Sequence, residues 1–97
     1  MTDYVLGTTI ILQTIYYDKN DNPIDADASP PVRAKIQDAR GRVIQTDLIA
    51  TKTAAGTYQY KYRTAGLAEG TYYFIFTGYF DGDPDNSSGS FTLKSVV

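Results

Sequence analysis

Polar and apolar residues alternate with a period of two along most of this chain. In TYQYKYR at 57–63, Tyr58, Tyr60 and Tyr62 alternate with Gln59, Lys61 and Arg63, the pattern of a strand with one wet face. VRAKIQD at 32–38 repeats it, with Val32, Ala34 and Ile36 set against Arg33, Lys35 and Gln37. TTIILQTIYY at 8–17 reads as a longer β-branched strand and VIQTDLIATK at 43–52 as a less regular one. TYYFIFTGYF at 71–80 and SGSFTLKSVV at 88–97 complete six, and a short leading piece around 2–6 makes a seventh. Turn chemistry separates them: NDNP at 20–23, DARGR at 38–42, TAAG at 53–56, AGLAEG at 65–70 and DGDPDN at 81–86. No segment longer than a turn shows the helical period. The longest irregular stretch, 18–31, ends in Pro30 and Pro31, which cannot join a central ladder. GTY occurs at 56–58 and 70–72, each time as a glycine turn entering an aromatic strand, which is no internal repeat. The pattern predicts one all-β domain over 1–97, a seven-stranded sandwich without significant helix.

Two of the strands are apolar on both faces. If Tyr72 points inward, Phe74 and Phe76 do too, and Tyr73, Ile75, Thr77 and Tyr79 face outward. In 8–17, Ile11, Ile15 and Tyr17 alternate with Ile10, Leu12 and Tyr16. A face bare to solvent does not ordinarily carry a row of large rings, and aromatic residues and arginine are enriched where proteins meet. The bland alternative is that neighbouring lysine and arginine stems cover the rings.

In GLAEGTYYFIF at 66–76, Leu67 followed by Gly70 and Tyr72 resembles the tyrosine corner of immunoglobulin-like and fibronectin-type-III sandwiches. In that motif an early tyrosine of the sixth strand bonds through its hydroxyl to backbone just upstream, here expected within 65–68. The succession YYDKNDNPI, PVRAKIQDARGRVI, GTYQYKY, GLAEGTYYFIFTGYF also looks like bacterial and viral immunoglobulin-like domains, including the macroglobulin-like subgroup. The resemblance covers almost the whole chain and specifies a fold better than a function. The cysteine pair and tryptophan of antibody-type domains are missing, so aliphatic and tyrosine packing must hold the core. The resemblance implies that the third strand lies beside the sixth. Arg33 and Lys35 would then share an outer face with Tyr73, Ile75 and Tyr79, and these five residues are the expected partner-binding set.

Composition mainly removes possibilities. A net charge of −2 lacks the basic surplus a general nucleic-acid binder needs. The absence of cysteine and histidine removes disulfides, thiolate metal sites and the commonest general base. No nucleophile–base pair can be assembled, so the expectation is a protein without enzymatic activity or cofactor. No apolar run approaches the roughly 20 residues of a membrane span. MTDYVLGTT lacks the basic and apolar regions of a secretory signal. That leaves an intracellularly made protein, the reading favoured here, or a module of a longer exported chain. In the implied topology the loops holding Asp18, Asp21, Asp25 and Asp27 and those holding Asp81, Asp83 and Asp85 share one tip. Asp18, Asp81, Asp83 and Asp85 are the candidate calcium ligands, but Pro23 and Ser29 spoil the EF-hand-like loop. Aspartate, asparagine and glycine are also ordinary turn residues, so no metal is expected.

Two functions follow as expectations. Signal-less immunoglobulin-like domains are familiar from phage structural proteins. The resemblance therefore implies a virion component, such as a capsid decoration or tail-associated protein that contacts capsid, tail or its own copies. The alternative is a carbohydrate- or protein-binding module of an exported bacterial surface protein, extracellular or on the cell surface.

Overall fold

The alternating segments fold into eight strands and, among the described residues, no helix. The computed structural model describes residues 2–94, and of Thr2 the backbone alone. The strands are β1 (Thr2–Val5), β2 (Thr9–Ile15), β3 (Arg33–Asp38), β4 (Val43–Ile49), β5 (Thr51–Ala54), β6 (Thr57–Arg63), β7 (Gly70–Phe80) and β8 (Asp83–Lys94). They form a five-stranded sheet ordered β1-β8-β7-β3-β4 and a three-stranded sheet ordered β2-β6-β5. All neighbours are antiparallel except β1, which runs parallel to β8. The expected continuation of the last strand over 95–97 lies outside the described residues.

The count is eight rather than seven because 43–52 is two strands. The alternation fails at Asp47, which has a left-handed φ of 59°, and β4 ends at Ile49. The chain then crosses at Ala50, whose N–H donates to Val32 O at 2.9 Å, and resumes as β5 in the other sheet. The DGDPDN stretch is also less of a loop than its composition suggests. Asp81 and Gly82 alone make the turn, with φ of 54° and 86°. Two successive left-handed residues give the tight hairpin whose twist matches its strands. Phe80 pairs with Asp83 and Tyr79 with Pro84. Alternation of the ladder from that closing pair turns the backbone nitrogen of Pro84 away from β7, where no donor is required.

The core lies between the sheets. Ile10, Leu12 and Tyr16 descend from one side with Tyr58 and Tyr62, and Ala34, Ile36, Tyr72, Phe76, Phe91 and Leu93 rise from the other. Phe91 stacks on Tyr72 at 5.6 Å and on Phe74 at 6.5 Å, and its centroid is 6.3 Å from that of Tyr62 in the opposite sheet. Phe74 is half-buried rather than enclosed. Its ring fills the space above Gly89, where a Cβ would come within 2.4 Å of it. Tyr72 is buried, and its hydroxyl donates to Ala68 O at 2.8 Å. Leu67 packs beneath that turn against the core, and Gly70 supplies a φ of 143° at the entry to β7.

At the other end, the irregular stretch between β2 and β3 is tied down bond by bond. Ile24 N–H donates to Tyr16 O, Ala26 N–H to the Tyr58 hydroxyl and Asp27 N–H to Tyr79 O, at 2.9, 2.9 and 2.7 Å. Gly56 sits where this stretch crosses the β5–β6 turn. A Cβ there would stand 2.8 Å from both Ile24 N and Tyr16 O, at a φ of +66°, so only glycine fits.

Three substitutions test this account by chemical denaturation. Tyr72→Phe is expected to cost about 1 kcal/mol, the net worth of one such hydrogen bond, whereas Tyr73→Phe on the outer face leaves stability unchanged. Equal effects at the two positions would overturn the inward–outward assignment. Gly56→Ala is expected to cost about 2 kcal/mol or more, from left-handed strain and overpacking together.

Candidate functional site

The outer face of the five-stranded sheet is built by ladder register. Arg33 pairs with Thr77, Lys35 with Ile75 and Gln37 with Tyr73, and paired residues share a face. Tyr79 lies two residues beyond Thr77 on the same face, next to the chain entering β3. Arg33, Lys35, Ile75 and Tyr79, with Pro30 and Pro31, line a shallow groove of about 210 Å³, closed on its far side by Thr46 and Asp47. Tyr73 stands outside it and is 42% exposed. All five residues expected to bind a partner therefore share one surface.

That surface is partly covered by its own side chains. Ile75 and Tyr79 are half-buried, while Tyr73 is open. Arg33 reaches Asp47 at 3.9 Å, both side chains being exposed, and such a pair is worth little in water. Lys35 makes no ion pair among the described residues. The patch also extends further than the sequence alone suggests. Val43 pairs with Gln37 and Ile49 with Arg33, which adds two exposed aliphatic side chains, 48% and 57% accessible. The irregular 43–52 segment hides this, since its faces cannot be assigned until the break at Asp47 and Ala50 is known. The opposite side of the sandwich carries a second row. Ile11, Ile15 and Tyr17 are 56%, 36% and 55% exposed, with Gln59 donating to Gln13 Oε1 at 2.5 Å between them.

The acidic tip is differently organised. Asp18 accepts the N–H groups of Asn20 and Asn22 and so closes its own turn. Asp27 accepts the N–H groups of Asp81 and Gly82, joining the long loop to the β7–β8 hairpin. Asp25 faces the β5–β6 turn instead, bonded to Gly56 N–H at 2.7 Å and to Lys52 Nζ at 2.6 Å. The Lys52 bond, then the Gly56 bond, lower the Asp25 pKa, and the same pairing raises that of Lys52. Asp83 and Asp85 lie on a strand rather than in a loop. Among the described residues no three carboxylates converge as a metal-binding group.

Beside Asp85 sits Tyr16, whose hydroxyl is buried and, among the described residues, makes no well-formed hydrogen bond, only a weak contact from the Gly78 backbone on which its ring lies. Burial, and then the negative charge of Asp85, push its pKa up to about 12. A phenol whose folded pKa is raised binds its proton more tightly when folded. Its contribution is therefore full below about pH 10, the unfolded value, and is lost as pH rises toward the folded one. Urea unfolding at increasing pH across that window is expected to show falling stability, with a shallower decline in Tyr16→Phe. At neutral pH Tyr16→Phe is expected to stabilise slightly, by up to about 1 kcal/mol, because it removes an unsatisfied buried group. For the tip, thermal melting in millimolar calcium and in chelator is expected to give the same curve. A higher melting temperature in calcium would show that the carboxylates rearrange to bind it.

No protein-family model matches the chain, and no curated protein matches it. Among solved structures, the chain is similar to the crystal structure of CopC from Methylosinus trichosporium OB3b, with a TM-score of 0.63 at 14% sequence identity. The match covers 99% of this chain and 85% of that one. At this identity the likeness shows a shared all-β fold.

Proposed function

We propose that the sandwich is immunoglobulin-like and that the protein is a non-enzymatic structural and interaction protein, held in an assembly through the outer face of its larger sheet. The observation that carries this reading is the shared face of Tyr73, Ile75 and Tyr79 with Arg33 and Lys35, extended by Val43 and Ile49. Well-packed rings anchor such contacts while cations form the rim. The Ile11, Ile15 and Tyr17 row on the smaller sheet supports a component with neighbours on two sides. Placement in a virion, as a capsid decoration or tail-associated protein, rests on the sequence resemblance alone.

The groove beside Tyr79 favours a second reading, a module of an exported surface protein that binds carbohydrate or another protein. An aromatic ring flanking a shallow trough of mixed polar and apolar lining suits an extended ligand of modest affinity.

A photo-crosslinking residue at Tyr73, introduced into the protein in its source organism, is expected to capture a discrete protein chain. The same group at Thr53, exposed on the edge of the smaller sheet, should capture none. Replacing Tyr73 and Tyr79 together with serine is expected to leave the monomer folded and to weaken assembly by roughly 1 to 4 kcal/mol. An unaltered assembly in that double variant, and in one that truncates Ile11, Ile15 and Tyr17, would sink the assembly reading.

A further inference from the structure

A different surface carries a separate inference, and it begins with an unfilled edge. β1 covers β8 only from Phe91 to Lys94. Lys94 O accepts the Leu6 N–H, so this carbonyl points toward the β1 side. By ladder alternation the N–H and C=O groups of Asn86 and Ser88 point the same way. Among the described residues no strand lies against them. Pro84 and the carboxylates of Asp83 and Asp85 guard the top of this edge, as prolines and charges guard many edges. Below them the guard is absent.

The side of the sandwich next to this edge is a seam between β8 and β2. Thr14 Oγ1 donates to Ser87 Oγ across it at 2.6 Å. Beneath that bond the seam opens into a notch of about 230 Å³ lined by Tyr4, Ile10, Leu12, Phe74 and Phe91. Above it lie Asp85 and the Tyr16 hydroxyl, which among the described residues makes no well-formed hydrogen bond, in a residue only 4% exposed. Tyr16 packs on Gly78, the residue paired with Asp85. Neither Asp83 nor Asp85 is in an ion pair among the described residues.

We propose that the edge of β8 over 83–90 is a strand-addition site for an extended segment of another polypeptide. That segment runs parallel to β8 in line with β1 and carries a lysine or arginine near its N-terminal end. Its backbone would pair with Asn86 and Ser88 as β-augmenting peptides do. Alternate side chains would turn inward, an apolar one entering the notch beside Phe74 and a basic one meeting Asp85. The cation would donate to that carboxylate and, once the incoming strand displaces the side chains that enclose it, to the Tyr16 oxygen, giving that hydroxyl a donor. The carboxylates then select among strands: they repel acidic or uncomplemented edges and admit a basic one. This inference is independent of the partner face on β3 and β7, since it uses none of the same side chains.

The test is a nitrogen-15 amide titration of the protein with the capped peptide Lys-Thr-Ser-Thr-Leu-Thr, whose first, third and fifth side chains turn inward. The control replaces its lysine with glutamate. The lysine peptide is expected to shift the Asn86 and Ser88 amides saturably, and to bind at least about fivefold more tightly than the control. Asp85→Asn should shrink that preference, and Tyr16→Phe should weaken binding of the lysine peptide without unfolding the protein. Absence of saturable shifts at these amides, or equal binding of the two peptides, overturns the proposal. Neither result bears on the crosslinking or serine variants at Tyr73 and Tyr79.

Discussion

The two sheets are closed on one another without a covalent link, and the ring of Phe91 is where that closure concentrates. It lies against Tyr72 and Phe74 in its own sheet and approaches Tyr62 in the other. A chain of this size buries roughly two-thirds of its unfolded surface, so a few large aromatic contacts carry much of the driving force. Building the core from tyrosine adds a second consequence, because each buried ring brings a hydroxyl that needs a partner. Tyr72 finds Ala68 O and Tyr58 finds Ala26 N–H. Both partners belong to irregular backbone at opposite ends of the sandwich. The same residues that fill the core therefore anchor the turn before β7 and the long loop before β3. Among the described residues Tyr16 is the one whose hydroxyl is fully enclosed without a well-formed bond, and it comes to rest beside an exposed carboxylate at the β8 edge.

This arrangement separates the structural and the available polar groups. Asp18, Asp25 and Asp27 are consumed in bonds to backbone N–H groups, with Lys52 added for Asp25. They behave as turn-forming residues, and the acidity of the tip follows from loop chemistry. Asp83 and Asp85 differ, because the tight Asp81–Gly82 turn puts them on a stretch of β8 whose outer edge no strand covers among the described residues. On the outer face the same logic divides the apolar residues. Ile75 and Tyr79 are shielded by a groove wall of prolines and cationic stems, and Tyr73, Val43 and Ile49 are left in water.

Strong local period made most of the fold legible. β3, β6 and β7 begin and end within a residue or two of where alternation and glycine turns put them. The eBeBeBe burial of β2 follows directly from its alternating residues. The division of 43–52 was not legible, because a sheet switch at Ala50 depends on what each half pairs with, and pairing is non-local. Nor could composition tell that DGDPDN is mainly strand, since aspartate and asparagine suit turns and exposed edges equally.

For the site, the sequence by itself determined that β2 and β7 have two apolar faces, because period two assigns every side chain to a face whatever the surroundings. The tertiary structure alone decided which residues those faces meet. Val43 and Ile49 join Tyr73 and Arg33 through a register containing two irregularities between Ala34 and Gln37, and no local pattern encodes a bulge in a neighbour's ladder. Among the described residues, the unpaired edge of β8 and the unsatisfied hydroxyl of Tyr16 are likewise absences of partners. An absence of this kind exists only once every other strand has taken its place, because hydrogen-bond satisfaction is a property of the whole fold and not of any segment.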